Sequence, residues 1–142
     1  MYNAYEMSDN MMKCKIKMTR ISMKDISDRT TATYIGDVVN KDDCLCFRYT
    51  EFDSGARCFV LFEKDEVTIK RTAETRSKLV LNEIKQTSVE IVTPYGNMEV
   101  PIRTSEITRK ANSLHVCYSL IEDNNESDVI DITWEIMKEG IS

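Results

Sequence analysis

Apolar and polar residues alternate along most of this chain. In the stretch KCKIKM, Cys14, Ile16 and Met18 share one parity and three lysines occupy the other. Such a period of two is typical of a β-strand with one buried face and one solvated face. The same alternation recurs in five further segments, at residues 65–71, 77–82, 88–93, 113–120 and 128–136. The pattern therefore predicts a protein built from half-buried strands.

Short clusters of turn-forming residues separate the alternating segments. They lie at 40–43 (NKDD), 53–56 (DSGA), 63–66 (EKDE), 93–96 (TPYG), 110–113 (KANS) and 122–128 (EDNNESD). Less marked breaks fall at 74–77 (ETRS) and 83–87 (EIKQT). Successive breaks are about 9 to 16 residues apart, which leaves room for one strand and a short connection each time. No interval carries the apolar spacing of a helix, and residues 24–30 predict at most a short turn or bend.

Strands connected this tightly must pair with antiparallel neighbours, because a parallel crossover takes a dozen or more residues. An open meander of about ten strands would expose two sheet edges, and proteins avoid such edges by closing a barrel or packing two sheets together. We therefore predict an all-β, antiparallel up-and-down β-barrel of about eight to ten strands, with a β-sandwich as the alternative. The barrel is expected to form a single domain at residues 12–142, after a flexible N-terminal tail at residues 1–11.

Charge and hydropathy exclude several functions. The formal net charge is −5 and the basic residues are spread along the 142-residue chain, whereas nucleic-acid-binding proteins cluster them on one face. The longest apolar runs are four or five residues, far short of the ~20 that span a bilayer. The opening MYNAYEMSDN is acidic and lacks the apolar stretch of a secretory signal. We therefore expect a cytoplasmic protein that binds neither nucleic acid nor membrane.

The five cysteines predict reduced thiols and no metal site. Their number is odd and none forms a CxxC pair, which favours a reducing compartment over disulfides. Cys44 and Cys46 form a CxC, which points both thiols to the same face of a strand. Zinc sites need four ligands in recognisable pairs, and the single histidine, His115, has no partner nearby in the sequence. We therefore expect no metal and no cofactor.

From about Asp43 to its end, the chain resembles the YwiB-like bacterial proteins, a family of lipocalin-like, calycin-type β-barrels. The resemblance is carried by four segments: YTEF (49–52), DEVTIKRTAETRSKLVL (65–81), TPYGNMEVPIRT (93–104) and the final SLHVCYSL…DITWEI hairpin. The chain departs from the family pattern at Ala73, where a glycine or another small residue is familiar. The resemblance implies a barrel with room for an internal ligand, and no known activity.

The TPYG stretch is predicted to be a hairpin turn. Pro94 takes the second position of a four-residue turn, where its fixed φ fits, and Gly96 takes the fourth. Tyr95 is then expected at an exposed corner. Pro101 falls inside the next strand on its outward face, and because proline cannot donate to a ladder it predicts a bulge or an unpaired edge there.

The sequence offers no catalytic constellation. A Ser–His–Asp or Cys–His system would have to use His115, which by alternation points away from the face of Leu114, Val116 and Tyr118. Four scattered glycines cannot form a phosphate-binding loop. Paired acids such as Asp42 and Asp43 lie in turns, where solvated carboxylates are poor general acids. We therefore expect no enzymatic activity.

Polar residues in phase with the apolar faces are the candidate site. Arg71 follows Val67 and Ile69 at the same parity, and the same argument selects Tyr49, Tyr118 and Trp134 as residues of the barrel lumen. An arginine with tyrosines inside a barrel would suit a carboxylate or another anion on an apolar body. The alternative is that Arg71 lies at the rim and pairs with Glu51, that both tyrosines pack with satisfied hydroxyls, and that Trp134 is a core residue closing the barrel floor.

Two functions remain open from the sequence. The first is a non-enzymatic barrel that binds a small apolar or anionic ligand in its lumen, which requires a real internal cavity. The second is a protein-interaction or scaffolding module with a filled barrel, which acts through its outer surface or as a homodimer. That outer surface would use the off-phase apolar residues Phe59, Leu61, Val80, Val92 and Ile121.

Overall fold

A computed structural model describes residues 11–138, which form ten strands and no helix. The strands are β1 (Met12–Ser22), β2 (Asp25–Lys41), β3 (Cys44–Thr50), β4 (Arg57–Glu63), β5 (Glu66–Thr72), β6 (Arg76–Asn82), β7 (Thr87–Thr93), β8 (Gly96–Lys110), β9 (Ser113–Glu122) and β10 (Asn125–Lys138). Each strand pairs with its sequence neighbours, and β1 pairs with β10 to close the barrel. The predicted up-and-down barrel is confirmed, and the β-sandwich alternative is wrong. Residues 1–10, most of the predicted N-terminal tail, lie outside the described residues.

The alternating segments form the strands as predicted, with their apolar parity inside the barrel. All ten strands contribute inward side chains to one continuous core. The largest fully buried members are Trp134, Phe47, Ile16, Leu45, Leu81, Ile102 and Leu114. Burying such side chains is the main stabilising term of the fold, at roughly 1.5–3 kcal/mol for each large apolar residue.

Tight turns join the strands where turn residues cluster. Lys64 and Asp65 both have positive φ angles of 54° and 62°, which is the conformation of a two-residue hairpin loop that follows the twist of the strands. In the TPYG turn, Thr93 pairs directly with Gly96 and Tyr95 is 99% exposed. Thr93 Oγ1 accepts a hydrogen bond from the Tyr95 N–H and donates one to the Gly96 carbonyl oxygen. The predicted turn is confirmed.

In the segment at residues 24–30 only Lys24 lies in a turn, because β2 already begins at Asp25. Strand β1 extends to Ser22 and offers backbone hydrogen bonds there, so the polar residues opposite it pair as a strand. A register shift absorbs the extra residues, since Ile21 faces Arg29 while Ser22 faces Asp25. The prediction failed because side-chain pattern does not report backbone pairing.

Pro101 lies at an unpaired edge, and the bend of β8 comes later. Strand β8 pairs with β7 as far as Ile102 but with β9 only from Ile102 onward, so Pro101 has a neighbouring strand on one side only. The register shift in β8 falls between Thr104 and Glu106, at Ser105. The prediction of an unpaired edge is confirmed, and the bulge given as the alternative lies further along the strand, at Ser105.

The bulge at Ser105 reverses the parity of the strand beyond it, so Ile107 and Arg109 register with inward-facing residues of β9. The Arg109 guanidinium lies 6.0 Å from the centroid of the Phe62 ring. It donates hydrogen bonds to the Asp42 carbonyl oxygen at 2.8 Å and to Asn40 Oδ1 at 2.6 Å. The Arg109 side chain and the β2–β3 turn therefore close this end of the barrel above the filled core.

Candidate ligand-binding cavity

The opposite end of the barrel is open and contains a cavity of about 330 Å³. Its wall is formed by inward side chains of eight strands, all except β2 and β8. Most of that wall is apolar, with Met18, Ile69, Leu79 and Val89 among its residues. The barrel is thus filled at the Arg109 end and hollow at the other, where the β3–β4, β5–β6 and β7–β8 turns lie.

All four residues predicted for the lumen line this one cavity. Tyr49 reaches it from β3, Arg71 from β5, Tyr118 from β9 and Trp134 from β10. Four separate strands bring them together, so the alternation in each segment was sufficient to place them on a common inner face. Their surroundings differ, however, and those surroundings decide what each side chain can do.

Arg71 is paired with Glu51 at the mouth of the cavity. Its Nη2 donates to Glu51 Oε1 at 2.8 Å and its Nε donates to Oε2 at 3.1 Å. Ser54 Oγ donates to Oε1 at 2.6 Å and Cys58 Sγ to Oε2 at 3.3 Å. The hydrogen bonds from Arg71 are the main reason that the pKa of Glu51 falls to about 2. One edge of the guanidinium, formed by Nε and Nη2, is therefore committed to an internal carboxylate, as the alternative for Arg71 proposed.

This pair predicts a defined acid sensitivity. The unfolded chain binds a proton to Glu51 near the ordinary value of 4.5, while the folded state resists protonation until about pH 2. The contribution of Glu51 to the free energy of unfolding is therefore complete above pH 4.5 and is lost as the pH falls toward 2. We expect this loss to be about 2 kcal/mol, since Arg71 is 43% exposed and solvent screens part of the attraction.

Chemical denaturation of the wild type and Glu51→Gln between pH 6 and pH 2 measures the effect. The free energies of unfolding of the two proteins should converge toward low pH, because the stabilising contribution of the ionised Glu51 carboxylate is lost there. Glu74→Gln removes an exposed carboxylate from the β5–β6 turn and should parallel the wild type. Curves for Glu51→Gln and wild type that stay parallel throughout would contradict the assignment.

Trp134 and Tyr49 form the inner end of the cavity. Trp134 is 2% exposed and its Nε1–H donates to the Tyr49 hydroxyl oxygen at 3.1 Å. The Phe47 ring packs edge-on against Trp134 at 5.5 Å between centroids, and Tyr34 stacks on Tyr49 at 4.6 Å. Burial raises the pKa of Tyr49 well above its ordinary range, so the hydroxyl stays neutral. Trp134 is the core residue at the floor that the sequence predicted.

Tyr118 has a polar neighbour that the sequence analysis missed. Arg20 extends from β1 at the same parity as Cys14, Ile16 and Met18, and it lines the cavity. Burial raises the pKa of Tyr118, and the nearby Arg20 charge offsets part of that shift. Within residues 11–138 the Arg20 guanidinium makes no hydrogen bond or ion pair. It is therefore a half-buried cation whose donors remain available, in contrast to Arg71.

The signal for Arg20 was present in the sequence. The alternation of β1 was recognised up to Met18, and one further step at the same parity reaches Arg20. An arginine that follows a row of apolar residues usually indicates the solvated end of a strand. What the pattern could not show is that β1 continues to Ser22 and remains part of the barrel wall there.

His115 lies on the outer face, away from the cavity, as predicted. Its Nδ1 lies 2.6 Å from Glu106 Oε2 and its Nε2 lies 2.7 Å from Asp131 Oδ2. The sequence analysis found no partner for His115, because Glu106 is brought beside it by the bulge at Ser105. Within residues 11–138 no group of three histidine, cysteine or acidic residues is arranged to hold a metal ion.

The cysteines are free, and four of the five are buried. Cys44 and Cys46 share the outer face of β3, as the CxC spacing predicted, in a small second cluster with Val39 and Met11. Burial raises the pKa of Cys46 to about 12, and it does the same for Cys58 in the cavity wall. Both thiols therefore stay protonated and unreactive at neutral pH.

The five off-phase apolar residues proposed for an outer interaction surface are only half-exposed. They are Phe59, Leu61, Val80, Val92 and Ile121. Phe59 and Leu61 pack against the small outer cluster of Val39, Cys44 and Cys46. These residues therefore serve partly to cover the outside of the barrel wall. Within the described chain, no helix has the length and apolarity to cross a membrane.

Fold and cavity together define the class of protein: a closed, ten-stranded antiparallel barrel that is hollow at one end. The chain belongs to the DUF1934 family, a domain of unknown function, whose sequence profile matches residues 14–133. This match, together with the structural similarity described next, confirms the resemblance to the YwiB-like proteins.

The fold is similar to the crystal structure of the YwiB protein from Bacillus subtilis. The TM-score is 0.67, with 15% sequence identity, and the match covers 90% of this chain and 96% of that chain. At this level of identity the likeness establishes the fold alone. No curated protein matches the sequence.

Proposed function

We propose that this protein is a non-enzymatic binding barrel that takes a small, largely apolar ligand with an anionic end into its open cavity. The observation that carries the proposal is the contrast between the two ends of the barrel. One end is filled by large side chains and closed by Arg109, while the other keeps a cavity of about 330 Å³. Cores normally pack without large voids because unfilled space forfeits dispersion contacts, so a cavity of this size favours a ligand.

The chemistry of the wall supports the choice of ligand. Apolar side chains cover most of the surface, which suits an aliphatic or aromatic body. At the mouth, Arg20 has donors without internal partners, and the Tyr118 hydroxyl makes no hydrogen bond within residues 11–138. An arginine with a free planar fork binds a carboxylate in bidentate fashion. Arg71 shapes the mouth, and its charge is already balanced by Glu51.

A binding role without catalysis fits the character of the ionisable groups. The cavity thiol of Cys58 and the two tyrosines have raised pKa values, so they are neutral at physiological pH. The one carboxylate, Glu51, has a lowered pKa and is held by Arg71. None of these groups is poised to exchange a proton near neutrality, which general acid–base catalysis requires. Free buried thiols also suit a cytoplasmic location, which we include in the proposal.

The chain carries its own reporter for the test. Trp134 is the single tryptophan and lies in the cavity wall, so its fluorescence should respond to a ligand that enters. We expect decanoate to produce a saturable change at one equivalent per chain. Arg20→Gln should weaken decanoate binding by about 10- to 100-fold, the worth of a charge-assisted hydrogen bond, and should leave the binding of uncharged decanol unchanged.

Two controls separate ligand entry from general effects. Arg103→Gln removes an arginine from the outer surface and should bind decanoate like the wild type. Native mass spectrometry of protein purified from its own host, before and after denaturation, should release a bound small molecule. A fluorescence signal that never saturates with either probe, together with no released molecule, would overturn the proposal and favour the filled-barrel alternative with an outer working surface or a homodimer.

A further inference from the structure

A basic groove lies on the outside of the barrel, separate from the lumen. It consists of two adjoining concavities, of about 490 Å³ over β2 to β5 and about 300 Å³ over β5 to β7. The two share Lys70 and Thr72, so they form one continuous surface. We call this surface the basic groove. Its cations are Arg48, Arg57, Lys70, Arg76 and Lys78.

The arrangement of these cations is unfavourable in the isolated protein. Lys70 and Lys78 are direct cross-strand partners on the outer face of β5 and β6, and like charges placed directly opposite each other destabilise a sheet. Arg57, Lys70, Arg76 and Lys78 are exposed, and within residues 11–138 none of the four makes a hydrogen bond or an ion pair.

The clustering is not a consequence of composition. The chain has 24 acidic and 19 basic residues, so acidic residues outnumber basic ones overall. Some cations elsewhere on the barrel have an acidic partner, since Lys17, Lys85 and Arg103 each lie within 4.0 Å of a glutamate. In the groove, four exposed cations without such a partner lie together on three neighbouring strands.

We propose that the basic groove docks a short acidic segment of a protein partner, which supplies the missing negative charge. Its lining also includes Phe59 and Ile35, and Ile35 is 57% exposed. An acidic segment that carries an apolar side chain would satisfy both the cations and these two residues. The four cations without a partner lie on β4, β5 and β6, each of which is paired on both sides, so recognition here relies on side chains rather than on strand addition.

The length of the groove favours a peptide over a nucleic acid. The four unpaired cations span β4 to β6, which is roughly 10 Å at the usual strand spacing. Carboxylates bound both sides of them: Asp37 pairs with Arg48 at 3.1 Å on one side, and Glu90 registers with Lys78 on the other. Beyond Glu90 the next residue in the row is Glu99. A long polyanion would meet these acids, whereas two or three carboxylates fit between them.

Fluorescence polarisation with a labelled 12-residue peptide of alternating glutamate and phenylalanine tests the proposal. We expect binding that weakens with salt, and binding at least about tenfold weaker when glutamine replaces glutamate in the peptide. The double variant Lys70→Gln/Lys78→Gln should lose at least about tenfold as well. The control variant Lys24→Gln/Lys110→Gln removes two exposed lysines that do not line the groove and should bind within about twofold of wild type.

Thermal unfolding of the same variants shows whether a loss of peptide binding is caused by misfolding. Removing one member of a like-charged pair should leave or raise the thermal midpoint, so Lys70→Gln should bind the peptide less well without becoming less stable. Three results would overturn the proposal: equal losses in both double variants, tighter binding of a 12-nucleotide single-stranded RNA than of the peptide, or self-association in sedimentation experiments that depends on Lys70 and Lys78.

Discussion

Replacing Gly36 by alanine is expected to lower the free energy of unfolding by at least about 3 kcal/mol. Gly36 lies in β2, where it registers with Cys14 of β1 and Tyr49 of β3. A Cβ at this position would overlap with the backbone carbonyl oxygen of Arg48 and would lie 2.9 Å from Ile16 Cδ1. The Ile16 side chain can move, but the carbonyl belongs to the wall beside Tyr49. The backbone of β2 or β3 must therefore shift.

Denaturant unfolding followed by Trp134 fluorescence measures this loss. Gly55→Ala is the matched control, because a Cβ there meets no atom within 4 Å and the cost is limited to the positive φ of 71°, about 1 kcal/mol. If Gly36→Ala proved no more destabilising than Gly55→Ala, the close approach of β2 to Arg48 would be wrong.

Replacing Trp134 by alanine is expected to cost about 3–5 kcal/mol, the usual range for removing a large buried aromatic side chain. The loss has two sources. Trp134 packs edge-on against Phe47 at 5.5 Å, and its removal enlarges a cavity that the barrel already carries beside it. The Tyr49 hydroxyl also loses the Nε1–H that donates to it at 3.1 Å. Far-UV circular dichroism during thermal or chemical unfolding reports the change, since the fluorophore is gone.

Trp134→Phe separates packing from hydrogen bonding. A phenyl ring keeps much of the contact with Phe47 and removes the donor, so we expect a loss of about 1–2 kcal/mol. Tyr49→Phe combined with Trp134→Phe should cost less than the sum of the two single changes, because both hydrogen-bonding partners are then absent. A double variant that loses the full sum would show that the Trp134–Tyr49 hydrogen bond does not contribute.

Sequence pattern predicted the strands because each buries only one face. Alternation in β5, β6, β9 and β10 gave both the strand and its inward residues, and for that reason Arg71, Tyr118 and Trp134 could be placed on one inner surface. Turn chemistry at TPYG was equally direct, since Pro94 and Gly96 each have a backbone reason for their position. These inferences depend on local rules, which a single sequence contains.

The failures share a different cause: each depends on register between strands. The bulge at Ser105 leaves no mark in the side-chain pattern of β8, yet it brings Arg109 into register with the inward residue Leu114 and to the end of the barrel that it closes. The same bulge brings Glu106 beside His115. Likewise, Arg20 belongs to the cavity only because β1 stays paired with β10 as far as Ser22. Alternation reports which face a side chain takes, and cannot report where along the partner strand it lies.

The pairing of β1 with β10 has a consequence for the order of events during synthesis. These two strands pair from Cys14 with Lys138 to Ser22 with Ile130. Strand β1 therefore cannot complete its pairing until β10 has been synthesised. Until then the β1 row that includes Ile16 and Met18 lacks one of its two neighbours. Contacts this distant in sequence form slowly because loop closure is costly. The barrel can therefore close only after β10 has been synthesised, and the incomplete chain is exposed to misassembly until then.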